Sequence, residues 1–286
     1  MEIINNVKRF REYLMYCNSS PNTAENYGSA IASFLSHFSY LKEPKEITAQ
    51  MIIEYCLKFD SLYTRRNAHS AIKRFYKFKS KHGESSKFRY IVYPKKPNTI
   101  PDHVTPHDFI KLMQSCNNLK HKCVLMFGFD AGFRVSEVIN IKLKDINFDL
   151  MQLNVRQSKE KKDRVVKLTR IFAELLISYI EQFNPTEYVF NGQFDVQYSV
   201  RSCQEILTKT CIKAGVKHYK YHALRHGFSM SLYENGEGLA DIGLMLGHSS
   251  RQATEIYAKK NNKIIQGIES PVELLFKEHG NLQLNR

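Results

Sequence analysis

The sequence predicts a mainly α-helical protein with one small β-sheet, an α+β fold in two domains. Three observations predict it. Apolar residues recur at helical spacing through most of the chain, one run near the middle alternates with period two and is followed by a second apolar run, and Tyr93-Pro94-Lys95-Lys96-Pro97-Asn98-Thr99-Ile100-Pro101 breaks every pattern around it. Its three prolines cannot continue a helix, and its two lysines favour solvent. The expected organisation is therefore a helical domain over 1–92, a linker over 93–101, and a second domain over 102–286 that ends in a tail.

Before the break, Tyr27, Ala30, Ile31, Phe34, Leu35 and Phe38 form one apolar stripe, with Thr23 as the expected N-cap. A second helix is expected from Thr48 to about Phe59. A third runs from about Thr64 to Lys79, with Ala68, Ala71, Ile72, Phe75 and Tyr76 inward. Its opposite face carries Arg65, Arg66, Lys73, Arg74 and Lys77, as a helix lying on a phosphate backbone needs. Any solvated helix face can also look like this.

After the break, Thr105 caps a helix with Pro106 at N1 and Asp108 at N3, beside the positive end of the helix dipole. A helix from about Lys120 to Gly128 follows, then a turn at Ala131-Gly132. Met151, Leu153 and Val155 alternate, and Val165, Val166 and Leu168 form a second run. Arg156 to Arg164 lies between them as a basic tip, so the pair reads as a β-hairpin. The remainder reads mostly helical, with breaks at Asn184-Pro185 and Asn191-Gly192 and an interruption at Pro271.

Charge narrows the function classes. Lys and Arg number 42 against 28 Asp and Glu, a formal charge of +14, so the partner is expected to be a polyanion: DNA, RNA or an anionic membrane surface. Six scattered cysteines without a C-x-x-C pair speak against a zinc ribbon or redox dithiol and fit a reducing cytosol. The first residues hold no apolar signal segment, and the run from Cys123 to Phe133, broken by Asp130, is too short to span a membrane. No G-x-x-x-x-G-K-[ST] or G-x-G-x-x-G motif supports nucleotide hydrolysis.

Five pieces of the second half carry chemistry together: Ala131-Gly132-Phe133-Arg134-Val135-Ser136-Glu137, the hairpin with Lys159, His222-Ala223-Leu224-Arg225-His226, Leu246-Gly247-His248-Ser249, and Glu255-Ile256-Tyr257. Each alone is weak. A lone arginine is usually on the surface, and one tyrosine among 16 is usually core or rim. In this order and spacing, with His248 and Tyr257 nine positions apart, they closely resemble the tyrosine recombinase (phage integrase) family and its compact Xer-like members. In the first half, Ser20-Pro21-Asn22-Thr23 with Tyr27 is similar to the start of that family's core-binding domain, and the prolines near Pro94 and Pro97 to its interdomain linker. The resemblance spans roughly Val7 to Asn262.

The resemblance implies a helical SAM-like core-binding domain and a catalytic domain that clamp duplex DNA like a C. It implies site-specific recombination through a 3′-phosphotyrosyl link and a Holliday junction. Tyr257 would be the nucleophile, with Arg134 and Arg225 on the phosphate oxygens and His222 as base. Lys159 would protonate the leaving 5′-hydroxyl, His248 would bond a phosphate oxygen, and Glu137 would orient its neighbours. These residue types suit a charged phosphodiester, because guanidinium forks pair with its oxygens and stay charged. A side-chain nucleophile needs no divalent metal, and a phosphotyrosine retains the bond energy for rejoining, so neither metal nor ATP is expected as cofactor. The family's lysine usually sits in a G-K-G turn, whereas Ser158-Lys159-Glu160 stands here with Lys161 and Lys162 close by.

Lys95, Lys96, Lys161 and Lys162 join the helix face as expected DNA contacts, and the setting is expected to be cytoplasmic. His226 is expected as a buried packing histidine, and Tyr219 and Tyr221 as packing. By the same resemblance the tail beyond Tyr257, with Ile264, Ile265, Ile268, Val272, Leu274, Leu275 and Phe276, would dock on a neighbouring protomer in a tetramer. A helix packed on its own domain is the alternative. A DNA-binding protein without catalysis and a type IB topoisomerase are the competing functions. Chromosome-dimer resolution and integration or excision of a mobile element both stay open.

Overall fold

The computed structural model describes residues 2–80, 94, 102–156, 163–192, 197–235, 237–247 and 269–279. It divides into two compact units, Met1–Thr99 and Ile100–Arg286.

The first unit is built from α1 (Ile3–Tyr16), α2 (Pro21–His37), α3 (Ala49–Leu57) and α4 (Leu62–Ser80), with a 3-10 turn at Pro44–Glu46. The predicted stripe of α2 faces inward: Ile31, Phe34, Leu35 and Phe38 are buried, and Tyr27 and Ala30 pack at its edge. Phe34 meets Tyr55 of α3 edge-on at 5.2 Å, and Phe10 of α1 meets Phe75 of α4 at 5.4 Å. Such edge-to-face pairs set the angles at which these short helices cross. The N-cap of α2 is Ser20, not the expected Thr23: Ser20 Oγ accepts from the Thr23 N–H at 3.2 Å. Pro21 explains the shift, because it has no N–H to lose and its fixed φ suits the first helical position. Thr48 caps α3 as predicted, through the Met51 N–H at 3.2 Å.

All five residues predicted to face inward on α4 are buried, and Phe78 joins them. The basic face is mixed. Lys73 and Lys77 are exposed, whereas Arg65, Arg66 and Arg74 are half-buried. Arg65 donates to the Phe59 carbonyl at 2.9 Å, Arg74 to Ser19 Oγ at 3.2 Å, and Arg66 to the carbonyl of Pro94. These three arginines hold neighbouring backbone and side chains as well as carrying charge.

In the second unit the central element is α6 (Leu119–Phe129), with every residue from Lys122 to Phe129 buried. A helix apolar on all sides must be surrounded. Around it lie α5 (Pro106–Ser115), α8 (Arg170–Phe183), α9 (Val200–Ala214) and α10 (His222–Glu234). Thr105 caps α5 as predicted, accepting from the Asp108 N–H at 3.1 Å. The hairpin is present as β2 (Gln152–Val155) and β3 (Arg164–Lys167), with Leu153 opposite Val166. Residues 157–162 of its basic tip lie outside the described residues. A two-residue strand, β1 (Ile146–Asn147), adds an antiparallel third edge too short to read from sequence. The break at Asn184-Pro185 is a helix end: Asn184 closes α8 in the left-handed region at φ 42°.

Two short helices complete the frame of the site, α7 (Val135–Val138) and α11 (Leu239–Leu246). The tail contributes α12 (Pro271–His279). Pro271 interrupts one segment by starting another. Ser270 Oγ accepts from the Glu273 N–H at 3.1 Å, and the Glu273 carboxylate accepts from the Ser270 N–H at 2.9 Å, a reciprocal cap with Pro271 at N1. Val272 and Leu275 are buried in the core of this same unit, and Glu273 pairs with Lys167 of β3 at 3.1 Å. Five cysteines are buried and act as small apolar groups; only Cys17 is exposed. Among the described residues no helix is long and apolar enough to cross a membrane, and no three metal-ligating side chains cluster.

Candidate active site

The site begins where α6 ends. Asp130 closes that helix and is buried, accepting a hydrogen bond from Thr169 Oγ1 at 2.8 Å. Burial pushes its carboxyl up to about 7, against the hydroxyls of Ser270 and Thr169, which favour the charged form. The chain then turns at Gly132, with φ 63°. A Cβ there would lie 2.7 Å from the Phe228 ring, so both conformation and space require glycine. The turn delivers Arg134 to the start of α7 and Glu137 to its third position, where the carboxylate accepts from the Arg134 N–H at 2.8 Å and from Arg134 Nη1 at 2.7 Å.

Arg225 comes from the first turn of α10 and is 2% exposed. Its Nη1 donates to the Gly132 carbonyl at 2.7 Å and its Nη2 to the Leu246 carbonyl at 2.6 Å. Nη1 also lies 3.7 Å from the Glu137 carboxylate. These bonds fasten the turn after α6 to the last residue of α11. Gly247 then ends α11 in the left-handed conformation, φ 63°, and the next residue is His248. Leu246-Gly247 of the L-G-H-S motif therefore works locally as a helix stop.

His222 and His226 stand one helical turn apart on α10, with ring centroids 4.4 Å apart in an edge-on arrangement. His226 is half-buried against His222, not the buried packing histidine expected, because the i, i+4 spacing carries both rings to the same face. Partial burial, Arg225 and Arg134 hold the His222 imidazole below its ordinary pKa, while Glu137 pulls the other way. Tyr219 and Tyr221 are packing residues as expected. Both are buried, their hydroxyls donate to Asp108 and to the Val124 carbonyl, and burial raises their pKa values.

One residue of the site escaped the sequence reading. Arg164, at the start of β3, is buried; its Nη1 and Nη2 donate to the two oxygens of Glu137 at 3.0 and 2.8 Å. Its Nε donates to the Met245 carbonyl at 2.9 Å, and its guanidinium lies 5.6 Å from the centre of the Phe133 ring. The signal was available in the strand period: Arg164 shares the inward face with Val166. Burial opposes ionisation of Glu137, yet the bonds and charges of Arg164 and Arg134 outweigh it and hold the carboxyl at about 2. Three guanidiniums thus share one carboxylate. The excess shows in Arg225, pushed down to about 9 by burial and by Arg134 and Arg164, yet still charged at neutral pH. Among the described residues three guanidiniums meet one carboxylate, and such an excess of positive charge is electrostatically prepared for an anion.

Of the predicted residues, the structure brings together Arg134, Glu137, His222 and Arg225. Lys159, His248 and Tyr257 lie outside the described residues, as do Lys95, Lys96, Lys161 and Lys162.

Known proteins share this sequence and fold. Residues 102–263 match the phage integrase family, and residues 7–82 match the phage integrase N-terminal SAM-like domain. Tyrosine recombinase XerA of Pyrococcus horikoshii is 28% identical over 275 residues, covering 92% of each chain. A crystal structure of XerA recombinase superposes with a TM-score of 0.51 at 26% identity, over 98% of this chain and 99% of the other. Lambda integrase (75–356), bound as a dimer to a COC′ core site, shares the fold with a TM-score of 0.72 at 17% identity, covering 87% of this chain and 96% of that one. On these matches, the chain belongs to the phage integrase family as an Xer-like tyrosine recombinase, a tyrosine-type DNA strand transferase.

Proposed function

We propose that this protein is a site-specific recombinase that cuts and rejoins duplex DNA through a 3′-phosphotyrosyl intermediate and a Holliday junction. The observation that carries the reading is the excess of guanidinium over carboxylate around Glu137. Such an excess suits a scissile phosphate, whose transition state spreads negative charge over its non-bridging oxygens. Arg134, with its side chain 26% exposed, meets the phosphate from the open edge. Arg225 backs it; a guanidinium has five donors, and its two carbonyl bonds leave others for the phosphate.

In this reading Tyr257 attacks the phosphorus and its phenolic proton passes to His222. That imidazole is neutral at working pH because its pKa is depressed, so it can accept. The 3′-phosphotyrosyl bond forms as the bond to the 5′-oxygen breaks, and Lys159 protonates that oxygen. His248 bonds a phosphate oxygen. Exposed Lys73 and Lys77 on α4, together with Arg65, Arg66, Arg74, Lys95, Lys96, Lys161 and Lys162, supply phosphate contacts along the duplex, so affinity falls steeply with salt. Proteins of the same fold have been seen on such DNA: a XerH site-specific recombinase bound to difH substrate, and a lambda integrase tetramer bound to a Holliday junction.

Synapsis of two sites needs a tetramer or paired dimers, with the tail as the coupling element. In the single chain α12 caps its own domain through Val272 and Leu275, so coupling to a neighbour requires this helix to exchange or the flanking tail to make the contact. The test of function is a nicked suicide duplex. Wild-type protein yields a protein–DNA band that survives SDS, and Tyr257→Phe abolishes it while leaving binding intact. Persistence of the band in that variant would move the nucleophile elsewhere.

A further inference from the structure

We propose that Arg164 is a positioning residue for strand transfer, holding Glu137 and the C-terminal end of α11 in one rigid unit so that Arg134 and Arg225 stay available to the phosphate. The inference rests on the reading above and adds a residue which that reading does not use. Three features carry it.

First, all three nitrogens of Arg164 already donate within the protein, two to Glu137 and one to the Met245 carbonyl, so its bonds brace the site. Second, it takes both oxygens of Glu137. Arg225 lies 3.7 Å from the same carboxylate and Arg134 already bonds it at 2.7 Å. Without Arg164, the carboxylate would have spare lone pairs beside these two guanidiniums and would draw both toward itself, away from a bound phosphate. Third, Arg164 and Arg225 bond consecutive carbonyls, Met245 and Leu246, at the last turn of α11. Those carbonyls form the negative end of a helix whose own ladder leaves them unmet. The two bonds therefore clamp the point from which Gly247 and His248 depart. One side chain at the start of β3 thus links the hairpin, the Glu137 carboxylate and the C-terminal end of α11.

The geometry requires a fork. Lysine retains the charge but presents a single point, so it cannot span both Glu137 oxygens and Met245 at once.

The test compares wild type, Arg164→Lys, Arg164→Gln, Glu137→Gln and the double variant Arg164→Gln/Glu137→Gln. Folding is checked by circular dichroism, duplex affinity by titration, and phosphotyrosyl formation by single turnover on a nicked suicide duplex. The expected result is a fall of about 100-fold in the single-turnover rate for Arg164→Gln with duplex affinity unchanged. Arg164→Lys should show a smaller loss of the same kind. The double variant should lose no more than Arg164→Gln alone, because Arg164 acts through the carboxylate that Glu137→Gln neutralises. The loss should persist on a bridging 5′-phosphorothiolate duplex, whose sulfur leaves without a proton.

Equal rates for wild type and Arg164→Lys would overturn the proposal. So would full additivity in the double variant, or complete rescue by the phosphorothiolate, which would mean that Arg164 serves only to place Lys159. Should Arg164→Gln fail to fold, Arg164→Lys carries the test by the same comparison of rate with affinity. Absence of any covalent band with wild-type protein would instead defeat the underlying assignment of function, a separate outcome.

Discussion

Arg225 Nη2 donates to the carbonyl of Leu246 at 2.6 Å, two residues before His248. The same guanidinium holds the Gly132 carbonyl at 2.7 Å, two residues before Arg134. One buried side chain therefore sets the register of two segments that carry predicted catalytic residues. Replacing it with glutamine removes the charge and leaves buried carbonyls short of donors. We expect Arg225→Gln to lose about 3 kcal/mol of stability in urea melts and at least about 100-fold in covalent adduct formation. A variant with normal stability would contradict the anchoring role.

Glu137 makes the fold acid-sensitive. Its folded-state carboxyl sits at about 2, below the ordinary glutamate value, so the stabilisation it gives is present above the unfolded pKa of about 4.3 and is lost as pH falls toward 2. Its contribution is roughly 3 kcal/mol. Urea melts between pH 5 and 2 should show a steep loss in wild type and a shallower one in Glu137→Gln. Equal slopes would mean that the carboxylate is not held by the arginines.

Asp130 acts in the opposite sense and in a different window. Its folded-state carboxyl is raised to about 7, so from about pH 4 to 7 the native state binds more protons than the unfolded chain, and stability falls as pH rises. The expected span is at most roughly 4 kcal/mol. Asp130→Asn keeps an oxygen for Thr169 and should flatten that slope, leaving the variant no less stable than wild type at pH 8. A wild type whose stability rises steadily from pH 4 to 8 would contradict this.

Gly132 stands at φ 63° with the Phe228 ring 2.7 Å from where a Cβ would be. Gly132→Ala should cost about 2–4 kcal/mol through the combined backbone and packing penalties. Because the turn also sets Arg134, adduct formation should fall with it. Leu275→Ala, remote from that turn, should cost about 2–3 kcal/mol in the single chain, since α12 packs on its own domain. Thermal melts of the two variants separate a defect of the site from one of the tail.

What the sequence made legible was local or periodic. Thr105-Pro106 announced α5 because a hydroxyl acceptor and a proline act within one turn. The hairpin showed itself because Met151, Leu153 and Val155 alternate with period two and a second apolar run, Val165, Val166 and Leu168, follows a basic stretch. Four site residues could be named because motif and order carried them. Arg164 was missed because a basic residue beside a hairpin tip reads as solvated, although the strand period places it on the inward face with Val166. Asp130 read as an interruption of an apolar run; its meaning depends on Thr169, 39 positions away. The α2 cap shifted because Ser20 and Thr23 both qualify chemically, and the proline between them decides. Pairings between distant residues are set by packing, and packing leaves no period in the chain.

Mass-spectrometric mapping of the adduct trapped on a nicked suicide duplex tests the central claim most directly. Proteolysis of that adduct should yield one peptide joined to a nucleotide through the phenolic oxygen of Tyr257, with the bond at the 3′-phosphate of the cut strand. A nucleotide on any other residue, or a bond to the 5′-phosphate, would contradict it.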